Sequence, residues 1–320
     1  MNYFHLLPAT SLALILVACS PSEAPAPEPD SEPTETTPSE TPDTTPEPTE
    51  TAAEVSEDVL TFAIGDLEAI ALLDGGFTMP VSESPFSQDK SAEDISAALE
   101  DAGLPGDTLS LSLHPMLLKA ADSVMLFDTG TGGPPAGALM SSIADAGVAP
   151  DDVDHIFISH SHFDHIGGLA KDGAPVFPNA TVHMSAPEWE FMQANEEQAA
   201  IVSAISDKVE TFEPGAELVP DIVTAVAVEG HTPGHTAFRI SSGEDTLLYV
   251  GDSVHHFVIS VGHPGWKIAF DTDEPLARAS REALLADLAE TGETIYAYHF
   301  PFPGTGHIET SGDSFVYIED

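Results

Sequence analysis

The sequence predicts a layered α/β sandwich that starts near Val59 and runs to the C-terminus. Two observations carry this reading. Short apolar runs of strand length alternate with a few amphipathic helical stretches, the pattern of sheets covered by helices. Several of those strands end in His or Asp, which points to one common edge of the sheets as the place where polar chemistry gathers.

The segment before Val59 reads differently. Leu6 to Ala18 is an apolar run too short for a comfortable membrane span and suited to the core of a signal peptide. It ends in Leu16-Val17-Ala18-Cys19, which resembles the bacterial lipobox, whose Cys is lipidated and becomes the mature N-terminus. Residues 1–19 are therefore expected to be a lipoprotein-type signal. The protein would be exported and lipid-anchored to a bacterial membrane, facing the periplasm or the exterior. Residues 20–58 are rich in Pro, Thr, Glu and Ser, as in Pro33-Thr34-Glu35-Thr36-Thr37-Pro38. Almost no apolar side chain is there to offset the ordering entropy, and repeated prolines and like charges favour an extended linker. Residues 59–320 are the expected catalytic domain.

Within that domain, Leu60–Ile64 and Glu68–Leu72 flank Gly65-Asp66 and read as a hairpin. Ser91 to Ala102 has a helical pattern, with Ser91 and Asp94 spaced as in a capping box. Val124–Phe127 is a buried strand that runs into Asp128-Thr129-Gly130, and a helix follows around Ala138–Ala146. His155–Ser159 is another buried strand and delivers the chain to a His cluster. Ser185-Ala186-Pro187-Glu188 starts a helix with Pro in its first turn. Ile222–Val228, Ala237–Ile240 and Leu247–Val250 are strands. Glu274–Glu290 is a long amphipathic helix, Thr294–Tyr298 a late strand ending at His299, and Pro301 to Gly306 a loop.

Composition narrows the function. Eight Lys and Arg stand against 54 Asp and Glu. Nucleic acid is excluded as a partner, because its binding needs Lys and Arg to replace phosphate counterions. The same acidity repels an anionic membrane surface, so membrane contact is expected only through the N-terminal lipid. Cys19 is the single cysteine, so no intramolecular disulfide and no Cys-based zinc knot can form. Any metal must fall to His and carboxylates.

Ser159-His160-Ser161-His162-Phe163-Asp164-His165 is the most informative stretch. Two His at i and i+2 of an extended chain point to the same side. A tight turn is expected to bring Asp164 and His165 back beside them. Three imidazoles and a carboxylate so close together are costly to bury without a cation and are good ligands for Zn²⁺ or a similar metal. Gly230-His231-Thr232-Pro233-Gly234-His235 forms a turn after an apolar strand. Gly251-Asp252 and Tyr298-His299 place a carboxylate and an imidazole at two further strand ends.

The run His160 to His165 resembles the HxHxDH motif of the metallo-β-lactamase superfamily. Asp128-Thr129-Gly130, the His231 turn, Asp252 and His299 match its later motifs in order. The resemblance implies an αββα sandwich with two metal ions at one edge. His160, His162 and His231 would hold one ion, Asp164, His165 and His299 the other, and Asp252 would bridge. Asp128, His235 and His307 would stand behind the ligands. His255 and His256 either face substrate or pack. The stretches Gly251–His255 and His299–His307 look closest to the methyl parathion hydrolase-like branch, which includes enzymes that open lactones.

The function so implied is a dinuclear hydrolase of esters, lactones or phosphotriesters using metal-activated hydroxide, with Asp252 or Asp164 shuttling the proton. Two divalent ions are expected, Zn²⁺ first, with Mn²⁺, Fe²⁺ or Co²⁺ as alternatives. The substrate would be a small molecule with an apolar leaving group or acyl chain, and Trp189, Phe86 and Phe163 are the candidates to line its pocket. The alternatives are a lipid-anchored metal-binding protein without turnover and a glyoxalase II-like thioesterase, although no clear basic cluster for glutathione carboxylates is visible. The oligomeric state stays open.

Overall fold

A computed structural model describes residues 57–133 and 137–320. The expected signal segment, Cys19 and all of the expected linker up to residue 56 lie outside the described residues. In chain order, strands β1 (Val59–Ile64), β2 (Leu67–Leu72) and β3 (Gly75–Pro80) precede helix α1 (Ala92–Asp101). Strands β4 (Thr108–Leu113), β5 (Met116–Ala120) and β6 (Ser123–Phe127) lead to α2 (Leu139–Asp145). Next come β7 (His155–Phe157), α3 (Phe163–Ile166), the short pair β8 (Ala170–Lys171) and β9 (Ala174–Pro175), and β10 (Thr181–Ser185). Helices α4 (Ala186–Ala194) and α5 (Ala199–Ile205) precede β11 (Val209–Phe212), β12 (Glu217–Val219), β13 (Val223–Ala227), β14 (Thr236–Ser242) and β15 (Asp245–Tyr249). The chain closes with α6 (Ile259–Gly262), α7 (Glu274–Thr291), β16 (Thr294–Tyr296), β17 (Thr305–Ser311) and β18 (Ser314–Glu319).

Two seven-stranded sheets form the centre, in the orders β1-β2-β5-β6-β7-β10-β11 and β12-β13-β14-β15-β16-β17-β18. Alternation along the strands explains why both faces of each sheet are covered. Met125 and Phe127 of β6 face a shared inner core with Phe238, Tyr249 and Tyr296 of the other sheet. Leu126, between them, faces outward onto Leu139 and Ile143 of α2 and Met192 of α4. On the opposite side, Leu248 of β15 and Ile295 of β16 meet Leu284, Leu285 and Leu288 of α7. The layers therefore run helix, sheet, sheet, helix, the αββα sandwich expected.

Parallel pairs, β6 with β7, β7 with β10, β10 with β11 and β15 with β16, need crossovers, and the helices supply them. Strands β6, β7 and β15 consequently end at one edge. Helix α7 begins under an N-cap, Asp273, whose side chain accepts from Leu276 N–H, and stops at Gly292 in the left-handed region. The capping box of α1 is present, with Ser91 and Asp94 each bonding the other's backbone N–H.

Boundaries differ where a strand reaches the functional edge. β7 stops at Phe157 and β16 at Tyr296, because the residues beyond them turn to aim side chains at the site. The expected loop Pro301–Gly306 is shortened by β17, which starts at Thr305. The ribbon β3–β4 stands outside both sheets and, with α1 and Phe86, packs against α6 to wall that edge.

Candidate metal centre

The centre is assembled from five chain segments that leave the sheet edge, after β6, β7, β13, β15 and β16. After β6, Asp128 adopts φ +57°, a conformation that Asp tolerates better than most residues. Its buried carboxylate accepts from Ser159 N–H (2.8 Å), Ser159 Oγ (2.7 Å), His165 Nδ1 (2.8 Å) and Tyr249 Oη (2.8 Å). Asp128 thus ties Ser159 and His165 to the end of β6. Beyond β7 the tight turn is replaced by α3, a single helical turn with His162 at its N-cap. That helix carries Asp164 and His165 back toward His160.

Ring nitrogens of His160, His162 and His231 converge. His160 Nε2 lies 3.0 Å from His162 Nδ1, and His231 Nε2 lies 3.0 Å from His162 Nδ1 and 3.3 Å from His160 Nε2. A second group forms beside it, with Asp164 Oδ2 3.7 Å from His165 Nε2 and 3.5 Å from His299 Nε2. Asp252 divides its carboxylate between the two. Its Oδ2 faces His160 (3.6 Å) and His231 (3.5 Å), and its Oδ1 faces His165 (3.2 Å) and His299 (3.1 Å). These seven residues form two clusters whose donor atoms are close enough to hold a cation each.

The chemistry of the donors fits divalent metal. His165 Nε2 and Asp252 Oδ1 are buried without a hydrogen-bond partner among the described residues, a costly state that a cation relieves. His231 turns Nε2 inward because Nδ1–H donates to Asp271 Oδ1 (3.0 Å), and Asp271 is held by Arg281 (2.9 Å). His299 donates Nδ1–H to Ser112 O (2.9 Å). Such partners fix the tautomer and aim of a ligating imidazole.

Electrostatics agree. Burial holds His160 and His231 well below the ordinary histidine value, so both rings are neutral and able to ligate. Burial opposes protonation of His165, but Asp252, Asp164 and Asp128 together lift it well above that value. Burial disfavours the Asp252 carboxylate, yet His299, His165 and His255 outweigh it and keep the group ionised. Without an ion the cluster balances its charge with imidazolium, and an entering cation displaces that proton.

His235 sits behind Asp252. Its Nε2 accepts Asp252 N–H (2.9 Å), its Nδ1 faces Val228 O (3.2 Å), and burial lowers its pKa to about 4. His307 does not join the centre. It lies on β17 with its ring against Asp320 (3.4 Å) and Glu309 (3.5 Å), because the strand carries it away from His299 into a surface ladder. His255 is buried in the wall of the site, its Nε2 3.3 Å from Asp252 Oδ2.

Sequence reasoning missed Glu188. This fully buried carboxylate accepts from Ser161 N–H (2.7 Å) and Oγ (2.6 Å), and from Thr232 Oγ1 (2.6 Å) and Gly234 N–H (3.0 Å). It joins the loop of His160 and His162 to the loop of His231. Burial raises its pKa, and the four donors pull the other way. Beside Pro187 it looked like an ordinary acid in a helix's first turn.

A cavity of about 550 Å³ opens onto the centre, lined by His162, Asp164, Asp252, His255 and His299 and by apolar Phe77, Phe86, Leu111, Leu113 and Phe270. Phe86 takes the place expected of it. Trp189 instead packs against the core beneath α4, and Phe163 points to solvent, 61% exposed, because α3 turns its other face to the site.

The sequence profile of the Metallo-beta-lactamase superfamily matches residues 114–299. A probable metallo-hydrolase of Mycobacterium tuberculosis is 27% identical over 186 residues, 46% of this chain and 58% of that relative, so the match spans little more than half of its length. An N-acyl homoserine lactonase of Bacillus cereus is 25% identical over 215 residues, 60% of this chain and 79% of the relative. Among solved structures, AidC, a dizinc quorum-quenching lactonase in complex with a product, superposes with TM-score 0.77 at 28% identity. It covers 82% of this chain and 97% of its own. The hydrolase AbOPH gives TM-score 0.74 at 28% identity, covering 83% and 99%.

Proposed function

The chain belongs to the metallo-beta-lactamase superfamily, and on that premise we propose that it is a hydrolase of neutral esters or lactones that works with two divalent ions, zinc first among the candidates. The observation that carries this reading is Asp252, which gives one oxygen to each of two adjacent ligand groups. His160, His162 and His231 would hold one ion, Asp164, His165 and His299 the other. When bound, such ions supply Lewis acidity toward a carbonyl or phosphoryl oxygen and a lowered pKa for water. The chain's own part is to aim the ligands, to accept a proton at Asp164 or Asp252, and to exclude water with the apolar wall of the cavity. No Lys or Arg lines that cavity among the described residues, which favours a neutral substrate over an anionic thioester. The likeness to lactonases favours the lactone over the phosphotriester.

The test uses full-length protein loaded with zinc, with metal content measured alongside turnover of p-nitrophenyl acetate, γ-butyrolactone and paraoxon. Two ions per chain with lactone or acetate turnover supports the reading. Two ions with no turnover of any substrate would leave a metal-binding protein in its place.

We also propose that Cys19 carries a lipid and tethers the domain outside the cytoplasm. Its position after Leu16-Val17-Ala18 supports this, as does a chain too acidic to hold an anionic surface by charge. Cys19→Ala should move the protein from the membrane to the soluble fraction or block signal cleavage. Normal processing and unchanged fractionation would sink the idea.

A further inference from the structure

The sheet edge that carries the metal centre is also where apolar side chains reach the surface. Eight large hydrophobic side chains are exposed among the described residues, and five of them surround the centre. Phe163, 61% exposed, stands between the ligands His162 and Asp164. Phe77 and Phe270 belong to the cavity wall, and the Phe270 ring lies 6.4 Å from that of His162. Leu276 lies in the first turn of α7, beside the His231 turn, to which Thr272 N–H and Asp273 N–H bond at His231 O and Gly230 O (2.9 Å each). Met140 lies in the first turn of α2, where Asp74 accepts Leu139 N–H (2.7 Å). The same Asp74 carboxylate accepts the N–H of Thr131, another residue of the cavity wall.

The opposite edge has the reverse character. The turns β1–β2, β5–β6, β14–β15 and β17–β18 and the step from α7 to β16 all lie there, because the strands they join run to or from the metal edge. Each carries an acid: Asp66, Asp122, Glu244, Asp313 and Glu293. The domain is therefore polarised along its strands, apolar around the metal centre and acidic at the far end. Exposed apolar side chains gathered on one face mark a contact with protein or membrane.

The point where the chain enters the domain favours membrane. Asp58 O accepts Leu73 N–H (2.8 Å), next to the Asp74 that braces the cavity wall, so the chain reaches β1 from the metal edge. A tether that joins the domain there brings the apolar edge to the lipid and leaves the acidic edge in water.

We propose that the rim of the metal cavity docks on a zwitterionic lipid surface, with Phe163, Phe270, Leu276 and Met140 set among the headgroups. The domain's acids oppose an anionic surface, but apolar side chains entering the interface need no charge of opposite sign. Docking turns the cavity mouth toward the bilayer and fixes the domain's orientation at the end of its tether. The inference goes beyond the hydrolase reading and takes from the Cys19 reading only the delivery of the domain to a membrane.

The experiment places single tryptophans in the full chain, in a background carrying Trp189→Phe and Trp266→Phe. Phe163→Trp reports the metal edge and Glu244→Trp the acidic edge. Each protein is mixed with an excess of phosphatidylcholine vesicles brominated on their acyl chains, so quenching reads nearness to lipid whether or not Cys19 is lipidated. The Phe163→Trp label should lose more than about half its emission, as a ring seated at the membrane interface does, while the Glu244→Trp label keeps its own. Adding Leu276→Glu and Met140→Glu puts acids in the first turns of two helices, where the fold tolerates them. Those charges should cut the quenching of Phe163→Trp at least about threefold, because an ionised side chain resists entry into lipid. Acrylamide, a quencher carried by water, separates the other outcomes. A Phe163→Trp label quenched by acrylamide and not by lipid shows the edge in water, and one shielded from both shows a second copy of the chain covering it. Either result overturns the docking, as does equal lipid quenching at both positions or no response to the two glutamates. Turnover of p-nitrophenyl acetate, and flotation of the parent chain against Cys19→Ala, are read in parallel, so the hydrolase and tether readings stand or fall separately.

Discussion

The two ligand groups share Asp252 but are supported by different residues. His160, His162 and His231 lie on two loops fastened together by the Glu188 carboxylate, and His231 is braced by the buried Asp271–Arg281 pair. His165 is held by Asp128 and His299 by the Ser112 carbonyl, while Thr129 and the Tyr298 hydroxyl hold the backbone carbonyls of His165 and Asp164. Asp164 is the exposed member, with 29% of its side chain accessible, and it lines the cavity with His299. The contrast teaches where the site opens. Both groups rest on buried carboxylates, Glu188 and Asp271 for the first and Asp128 for the second, and the difference is confined to the partly exposed Asp164 carboxylate on the open side, where a substrate arrives.

The largest effect should come from removing what the groups share. Asp252→Ala takes a ligand from both, so metal content should fall from two ions to fewer than one per chain. Hydrolysis should drop by more than about a hundredfold, beyond the loss typical of a supporting residue. Elemental analysis of dialysed protein reads the first outcome and ester turnover the second. Loss of a single ion would show that the groups are independent and that Asp252 belongs to only one of them.

Glu188 tests the difference itself. Glu188→Gln presents an amide N–H₂ to groups that are themselves donors, so two of the four hydrogen bonds are lost and a buried donor is stranded. We expect about ten- to hundredfold weaker binding of one ion, the other unchanged, in a competition titration against a chelator. Stability should fall by about 1–3 kcal/mol in denaturant unfolding of the metal-free protein. Equal weakening of both ions would mean that Glu188 supports the whole edge and not one group.

How far the sequence reached follows the same physics. His160, His162, Asp164, His165, His231, Asp252 and His299 stood out because each ends or follows an apolar strand, and the structure brings all seven together. Of the inner strands, β2, β6, β7, β13, β14, β15 and β16 were legible from their apolar residues, whereas β5 and β10 went unread. Ribbon β3–β4 and the pair β17–β18 were not read: β3 and β17 are largely exposed and carry Thr, Ser and Gly among few apolar positions, whereas β4 does show a strand's alternation, with Leu109, Leu111 and Leu113 buried. Glu188 and Asp271 were hidden for another reason. A buried carboxylate is defined by its partners, and among 54 acidic residues nothing local separates it from the surface acids. Trp189 and Phe163 were assigned to the pocket on residue type alone, and helix phase sent both elsewhere.

The smallest expected effect belongs to His307, and it sharpens the comparison from outside. In sequence His235 after His231 and His307 after His299 look like equivalent supports, each a second imidazole beyond a ligand. The structure separates them. His235 is fully buried and holds the Asp252 backbone, whereas His307 pairs across β17–β18 with Ile318, one third of its side chain exposed, beside the carboxylates of Asp320 and Glu309. Exposed pairs of this kind contribute at most about 1 kcal/mol. His307→Ala should therefore keep wild-type metal content and kcat/KM and shift stability by no more than about 0.5 kcal/mol, the range of ordinary surface substitutions. His235→Ala removes the acceptor of a buried N–H and should weaken both ions through the displaced Asp252. If His307→Ala instead lost metal as His235→Ala does, β17 would have to reach the centre in solution, and the supports named for the second group would be an incomplete account of what holds it.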